Sequence, residues 1–254
     1  MTTLALRDTG ALTRRSLRHV LRSPDTIVTT AVVPVALMLM FGFVLGGAIT
    51  TGAEGRYIDY MLPGILLITI ASGVGYTSYR LFLDLQGGIV ERFRSMPIPR
   101  SAVLWAHVLT SLVANLASLA VVVAVALLVG FRSGASVAAW LAVAALLALV
   151  TLALTWVAVI AGLSAGSVEG AGAFSYPLIF LPFVSSAFVP TATMAGPVAW
   201  FAEHQPVTAV VDTIRALLAQ QPVGTEIWVA LAWLVGILVV AQVVAVTRYR
   251  RRLG

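Results

Sequence analysis

The sequence predicts an all-α protein that crosses a membrane several times, as a single transmembrane domain over residues 1–254. Hydrophobic residues make up 60% of the 254 residues and charged residues only 10%, whereas a soluble domain carries roughly 25% charged residues. The charges are also uneven: long stretches contain no ionisable residue, and each could cross a hydrocarbon core of about 30 Å as a helix. These observations exclude a large soluble domain.

Six such stretches predict six transmembrane helices. Their predicted limits are 26–49, 57–80, 103–130, 137–162, 171–190 and 227–247. The stretch between Arg132 and Glu169 is the longest. It contains turn signals at Ser133–Ser136 and again from Gly162 to Gly172, which leave room for one helix between them. An even number of spans places both termini on the same side of the membrane.

The arginines predict which side that is. All 16 basic residues are Arg; five precede the first span, four follow the last, and three lie between the second and third spans. By the positive-inside rule these twelve face the cytoplasm, and so do both termini. The net charge of +6 is therefore a topological signal, and we expect no nucleic-acid partner.

Residues 1–25 are predicted to form a helix that lies flat in the membrane interface. Placed on a helix, Leu6, Leu17, Val20 and Leu21 share one face, and the other face carries Arg14, Arg15, Arg18 and Arg22, an arrangement that suits contact with membrane lipid. A plain topological anchor and a force-transmitting element explain this pattern equally well.

Residues 84–100 are predicted to form a short cytoplasmic helix between spans two and three. Leu85, Ile89, Phe93 and Met96 give it an apolar ridge, and Pro97 and Pro99 end it. Its other face carries Asp84, Glu91, Arg92 and Arg94. Such a helix suits docking into a groove on a partner; a solvated loop is the alternative.

The segment 191–226 is predicted to lie outside the membrane, with a re-entrant or interfacial helix. After Gln205 and Pro206, an apolar stripe follows helical spacing with Asp212 and Arg215 beside it. The stripe consists of Val207, Val210, Val211, Ile214, Leu217 and Leu218. We expect this helix at the outer interface, either with a role in transport or as an interfacial cover.

Few motifs in the sequence could support catalysis or metal binding. Gly162–Gly166 matches G-x-S-x-G around Ser164, but it ends a predicted membrane helix rather than a strand, so a hydrolase is disfavoured. The same glycines, and Gly42 with Gly46 in the first span, have the spacing of close helix contacts, within the chain or between subunits. The three His residues are not spaced as metal ligands, and the absence of Cys and Lys removes thiol chemistry and a P-loop. We therefore predict no catalytic, cofactor or metal site in this chain.

Mild polarity inside the apolar stretches has two interpretations. Asn115, Ser118, Thr151, Thr155 and Tyr176 suit the path of a lipophilic solute, or they form hydrogen bonds between helices. Asp, Glu and His are scarce there, which argues against a carrier driven by protons or sodium.

Three segments in order resemble the membrane subunit of type-2 ABC exporters, in particular permeases of the daunorubicin-resistance type. They are the N-terminal helix running into Arg22-Ser23-Pro24 and Pro34, the run Glu91 to Pro97, and the run His204-Gln205-Pro206-Val207 through Asp212 to Leu218. Gln205 stands where the family often has Asn, so no specific contact is carried onto it.

The resemblance implies a permease without its own ATPase. Two permeases, as a homodimer or a heterodimer, would work with two copies of a separate P-loop subunit that binds ATP and Mg. It also implies an ATPase-coupling interface made of Leu85, Ile89, Glu91, Arg92, Phe93, Arg94 and Met96, with Arg14, Arg18 and Arg22. The implied location is the bacterial cytoplasmic membrane, and the implied cargo is a lipophilic drug, antibiotic or lipid-like molecule that leaves the cell.

Alternatives stay open at this point. A permease of the same superfamily could export a lipid or polysaccharide, and no residue decides between cargoes. A membrane anchor without transport, and an intramembrane hydrolase that uses Ser164, are the alternatives from other classes.

Overall fold

A computed structural model describes residues 24–47, 56–87 and 100–253. The predicted interfacial helix before Pro24 and most of the predicted coupling helix, residues 88–99, lie outside these ranges.

Within the described ranges the chain is helical and contains no strand. The α-helices are α1 (Pro24–Leu39), α2 (Tyr57–Gln86), α3 (Arg100–Val129), α4 (Val137–Ser164), α5 (Val168–Ala173), α6 (Ser175–Phe180), α7 (Gly196–His204), α8 (Pro206–Leu218) and α9 (Glu226–Leu253). A π-helix (Met40–Leu45) continues α1, and 3-10 turns occupy Leu181–Val184 and Thr191–Thr193.

Four of these helices, α2, α3, α4 and α9, are long and apolar enough to cross a membrane. The apolar helical segments 30–44 and 168–184 are shorter. The all-helical membrane architecture is confirmed, and six spans with cytoplasmic termini stay a prediction.

The long helices lie close to their predicted limits. α4 begins at Val137 as predicted, because the Ser136 hydroxyl accepts a hydrogen bond of 3.2 Å from the Ala139 N–H and caps the helix. α2 continues to Gln86, so Asp84 and Leu85, which we assigned to the coupling helix, belong to its last turn.

The fifth span was predicted as one helix over 171–190, and this was wrong. The chain instead forms α5, α6 and a 3-10 turn, followed by turns from Ser185 to Phe188. Pro177 and Pro182 explain the breaks, because each lacks the N–H that a continuous helix would use and its ring crowds the preceding turn.

The first span also departs from a regular helix. It was predicted over 26–49, but the α-helical geometry gives way to π-helix at Met40. Short π segments inside α-helices are rare and occur frequently at functional sites.

α2 is the central helix, packed by α1, α3, α4, α5, α6 and α8. Most of its apolar window is buried, whereas α3 and α9 bury under a third of theirs and face outward. Glycines let neighbours approach: a Cβ at Gly64 would lie 2.6 Å from Ala187 Cβ, and one at Gly75 would lie 2.5 Å from Ser175 Oγ. The segments after α4 therefore pack directly against the α2 backbone.

Two ends of the helix bundle can be distinguished. We call the end with Arg56, Gly130 and Leu218 the outer end, following the predicted orientation, and the end with Ser164 and Arg248 the inner end. At the outer end α3 closes with a Schellman motif: the Phe131 N–H donates to Ala126 O at 2.8 Å, and Gly130 has a positive φ of 109°. The Arg56 guanidinium donates to Gly130 O at 2.8 Å and to Val129 O, the last carbonyl of α3, at 3.3 Å.

Candidate functional site

Four phenylalanines from the two irregular segments form an aromatic cluster near the outer end: Phe41, Phe180, Phe183 and Phe188. The Phe183 and Phe188 rings stack with centroids 4.8 Å apart, and the Phe41 centroid lies 5.0 Å from that of Phe188. Phe180 lies 6.2 Å from Phe183 and is 64% exposed. The cluster thus runs from a buried ring to an exposed one, which leaves aromatic surface open at the side of the bundle.

The turn that carries Phe188, residues 185–188, is held by one face of α8. The Ser186 N–H donates to Thr208 Oγ1 at 3.3 Å, and the Ser186 hydroxyl donates to Asp212 Oδ1 at 2.7 Å. Ser186 O accepts from Arg215 Nη2 at 2.7 Å. Thr208, Asp212 and Arg215 follow one another at spacings of four and three, so they share one helical face. All three polar groups of Ser186 are therefore bound by α8.

Arg215 also ties α8 to the start of α2. Its Nε and Nη2 lie 3.3 and 3.2 Å from Tyr60 O, and the guanidinium carbon lies 3.8 Å from the centroid of the Tyr60 ring. Its charge is balanced on its own helix by Asp212, with Nη1 and Oδ1 2.6 Å apart. On the other side of the turn, the Tyr57 hydroxyl donates to Phe188 O at 2.9 Å.

The structure confirms much of the predicted outer helix. α8 begins at Pro206, its apolar stripe is buried or partly buried, and Asp212 and Arg215 lie beside the stripe. The apolar stripe of α8 packs against α9 and α4, and the placement of this helix at the outer interface stays a prediction. On α7, the helix before α8, three large apolar side chains are exposed: Val198, Trp200 and Phe201.

Several polar side chains within α3 and α4 form hydrogen bonds. Thr77 Oγ1 donates to Ser111 Oγ at 2.7 Å, and Ser111 Oγ lies 3.3 Å from Thr155 Oγ1. Asn115 Nδ2 donates to Ser111 O at 2.9 Å, and Thr151 bonds within its own helix. Of the two interpretations of these residues, hydrogen bonding between helices is confirmed for Thr155, which is linked through Ser111 to Thr77, so that α2, α3 and α4 share a polar core. Asn115 bonds within α3. Ser118 is also buried, and Tyr176 is exposed.

At the inner end, Asp84 Oδ2 lies 3.3 Å from His107 Nε2 and links α2 to α3. Leu85 packs against the inner apolar cluster of the same chain. Ser164 accepts a hydrogen bond from Arg248. Its hydrogen-bond partner is therefore a cation, not a general base that could activate the hydroxyl. The remaining coupling residues lie outside the described ranges: Ile89, Glu91, Arg92, Phe93, Arg94 and Met96, with Arg14, Arg18 and Arg22. Their coupling role stays a prediction.

The glycines predicted as helix contact points form two pairs, Gly42 with Gly46 and Gly162 with Gly166. Gly42 packs within the chain, since its Cβ position lies 3.4 Å from Met61 Cε, and a Cβ at Gly46 would lie 2.4 Å from Gly42 O. Gly162 lies close to α2, with its Cβ position 2.8 Å from Ser78 O, whereas Gly166 meets open space. Close packing within the chain is confirmed for Gly162. Gly166 has no neighbour within 4 Å among the described residues, and a subunit contact at Gly42 and Gly46 stays a prediction.

Sequence reasoning missed the aromatic cluster and the role of Ser186. Pro177 and Pro182 were visible signals that the fifth span is broken. No periodicity pairs Phe41 with Phe183 and Phe188, which are distant in the chain, and nothing local marks Ser186.

The long apolar helices are those of a multi-pass membrane protein. Residues 7–219 match the family model for ABC-2 type transporters, and the chain belongs to that family. It is 26% identical over 199 residues to the daunorubicin resistance ABC transporter permease protein DrrB1 of Streptomyces coeruleorubidus, covering 77% of this chain and 69% of that protein. It is 25% identical over 244 residues to a "Probable doxorubicin resistance ABC transporter permease protein DrrC" of Mycobacterium tuberculosis, covering 94% and 87%. The resemblance inferred from the sequence is confirmed, and the chain is a transporter component.

Proposed function

We propose that this chain is the membrane subunit of an ATP-driven exporter that moves lipophilic, planar aromatic molecules out of a bacterial cell. The observation that carries the proposal is the aromatic cluster, built where α1 turns into π-helix and where the fifth segment breaks. The relatives, whose names specify daunorubicin or doxorubicin resistance, support a cargo with fused aromatic rings.

The cluster suits such a cargo because a planar ring can extend an existing stack. Phe180 presents ring surface beside the stacked pair of Phe183 and Phe188. Tyr176, one turn before Phe180, is 61% exposed. Each good aromatic contact contributes about 0.5–1.5 kcal/mol beyond simple burial. A surface of this kind binds many ring systems weakly, as an exporter of foreign molecules requires.

The energy source is proposed to be a separate subunit. This sequence has no Lys and so no P-loop of the usual type. Two permeases with two ATP-binding subunits would form the working unit, with six spans per permease and the Glu91–Met96 region touching the ATPase. ATP binding would favour one arrangement of the membrane halves over the other.

The cargo is tested by substituting the cluster. Phe183→Ala should raise the apparent KM for doxorubicin efflux about 2- to 10-fold, the equivalent of one lost aromatic contact. Efflux is measured by doxorubicin fluorescence in vesicles that contain both subunits and ATP. Trp228→Ala is the matched control, because Trp228 is 70% exposed on α9 and lies outside the cluster. An equal response to both substitutions would remove the cluster from drug binding, and lipid movement without any drug efflux would favour the lipid-exporter alternative.

Coupling is tested by charge reversal in the cytoplasmic segment. Glu91→Arg or Arg92→Glu should lower drug-stimulated ATPase activity or co-purification of the ATP-binding subunit, while membrane insertion is unchanged. The double reversal keeps the local net charge and serves as the control for charge alone. Wild-type efflux from both single variants would exclude this segment from coupling.

A further inference from the structure

We propose that α8 is a clasp that holds the 185–188 turn closed over the outer end and releases Ser186 once in each transport cycle. The proposal rests on the export function proposed above and gives Asp212 and Arg215 the role of positioning residues. It follows from three features of the contacts between α8, the turn and α2.

The first feature is that the grip of α8 on the turn is concentrated on one residue. Ser186 N–H, hydroxyl and carbonyl bond to Thr208, Asp212 and Arg215 respectively. A rigid sliding or tilting of α8 therefore breaks the three bonds together, so Ser186 is either held by α8 or released from it. Two-state contacts of this type are what a transporter needs at a gate.

The second feature is that release leaves no uncompensated charge. Arg215 pairs with Asp212 on the same helix, so the ion pair travels with α8. The bonds that break are those to Ser186 and Tyr60 O, which are neutral groups. Separating a buried ion pair would be far more costly, because it leaves an unpaired charge in a medium of low dielectric.

The third feature is that the turn connects the clasp to the aromatic cluster. Phe188 lies two residues after Ser186, its carbonyl accepts from Tyr57, and its ring stacks on Phe183. When the clasp holds Ser186, the inner ring of the cluster is fixed against α2. Release allows the Phe188 ring to leave the stack and opens the cluster toward the outer end.

A reversible cross-link tests the clasp directly, because the chain has no native Cys. The variant Ser186→Cys/Thr208→Cys joins the turn to α8 when oxidised. We expect doxorubicin efflux when the pair is reduced, at least tenfold slower efflux when it is oxidised, and recovery with dithiothreitol. Thr77→Cys/Ser111→Cys is the matched control: its two hydroxyls lie 2.7 Å apart in the polar core, where no release is proposed. Equal efflux from the reduced and the fully oxidised Ser186/Thr208 pair, or failure of that pair to oxidise, would overturn the proposal.

A second measurement separates the clasp from the proposed cargo. Val211 is fully buried on α8, so Val211→Cys in purified protein should react slowly with a maleimide. Adding Arg215→Gln should speed labelling about tenfold or more, because several bonds from a charged donor are lost. Arg132→Gln, at the same end but bonded to Leu127 O and Phe131 O, should not. Unchanged labelling with Arg215→Gln overturns the clasp, whereas faster labelling in a protein that exports no doxorubicin upholds the clasp and refutes the cargo.

Discussion

Gly64 offers the sharpest test of the packing around α2. A Cβ at this position would lie 2.6 Å from Ala187 Cβ, whereas carbon atoms in good contact are about 3.5–4.0 Å apart. Neither carbon can turn aside, because each is fixed to its backbone. Opening this gap should cost about 1–3 kcal/mol, and replacing a helical Gly returns at most about 1 kcal/mol. We expect Gly64→Ala to be destabilising.

Gly236→Ala is the matched control, since Gly236 is also helical but meets nothing within 4 Å. It gains the helix propensity without the clash, so the two variants should differ by about 1–3 kcal/mol. At about 2–4 °C per kcal/mol for a chain of this size, fluorescence-detected gel filtration of heated samples resolves the difference.

The double variant Gly64→Ala/Ala187→Gly removes the opposing methyl and should recover most of the loss, which identifies the contact as the cause. If Gly64→Ala melts at or above the temperature of Gly236→Ala, the turn is not packed on α2 as described.

Two further outcomes follow from single positions. Gly130→Ala should destabilise the protein by about 1–3 kcal/mol through backbone strain at its positive φ. Arg56 Nη1 lies 2.1 Å from the added Cβ position, but adding Arg56→Ala should not restore the melting temperature, because the strain remains. Recovery in that double variant would show that the clash was the cause. Ser164→Ala should keep full doxorubicin efflux and ATPase activity, since Ser164 contacts Arg248; loss of either activity would reopen an active role for Ser164.

The sequence predicted the long helices well because their signals are local. Charge-free length marks α2, α3, α4 and α9, and the spacing of Val210, Val211 and Ile214 marks α8. The fifth span was misjudged because apolar length was given more weight than Pro177 and Pro182. Apolar composition indicates that a segment is buried in lipid or protein, but it does not show whether its helix is continuous. A proline ring removes a backbone hydrogen bond and crowds the preceding turn, so it interrupts the helix in an apolar segment as well.

The site could not be predicted for a different reason: its contacts join residues that are distant in the chain. Arg215 bonds to the carbonyls of Tyr60 and Ser186, and any residue supplies a carbonyl, so the sequence of the partners carries no signal. Only the acidic partner on the same helix, Asp212, follows a recognisable spacing. The sequence therefore indicated the half of the clasp that lies on α8.

The division between rigid and movable parts follows from how each contact is built. The polar core joins α2, α3 and α4 through the two hydrogen bonds that Ser111 makes with Thr77 and Thr155. These bonds are buried between regular helices, where no water replaces them if the helices separate. The 185–188 turn is held differently, by Asp212 and Arg215 of α8, whose side chains are 35% and 21% exposed, so water can replace the hydrogen bonds that these two side chains lose. Each hydrogen bond between the core helices therefore resists opening more strongly than each bond that Asp212 and Arg215 make to the turn. Because the aromatic cluster lies on the weak side of this boundary, a cargo bound there would face the part of the molecule that opens at the least cost.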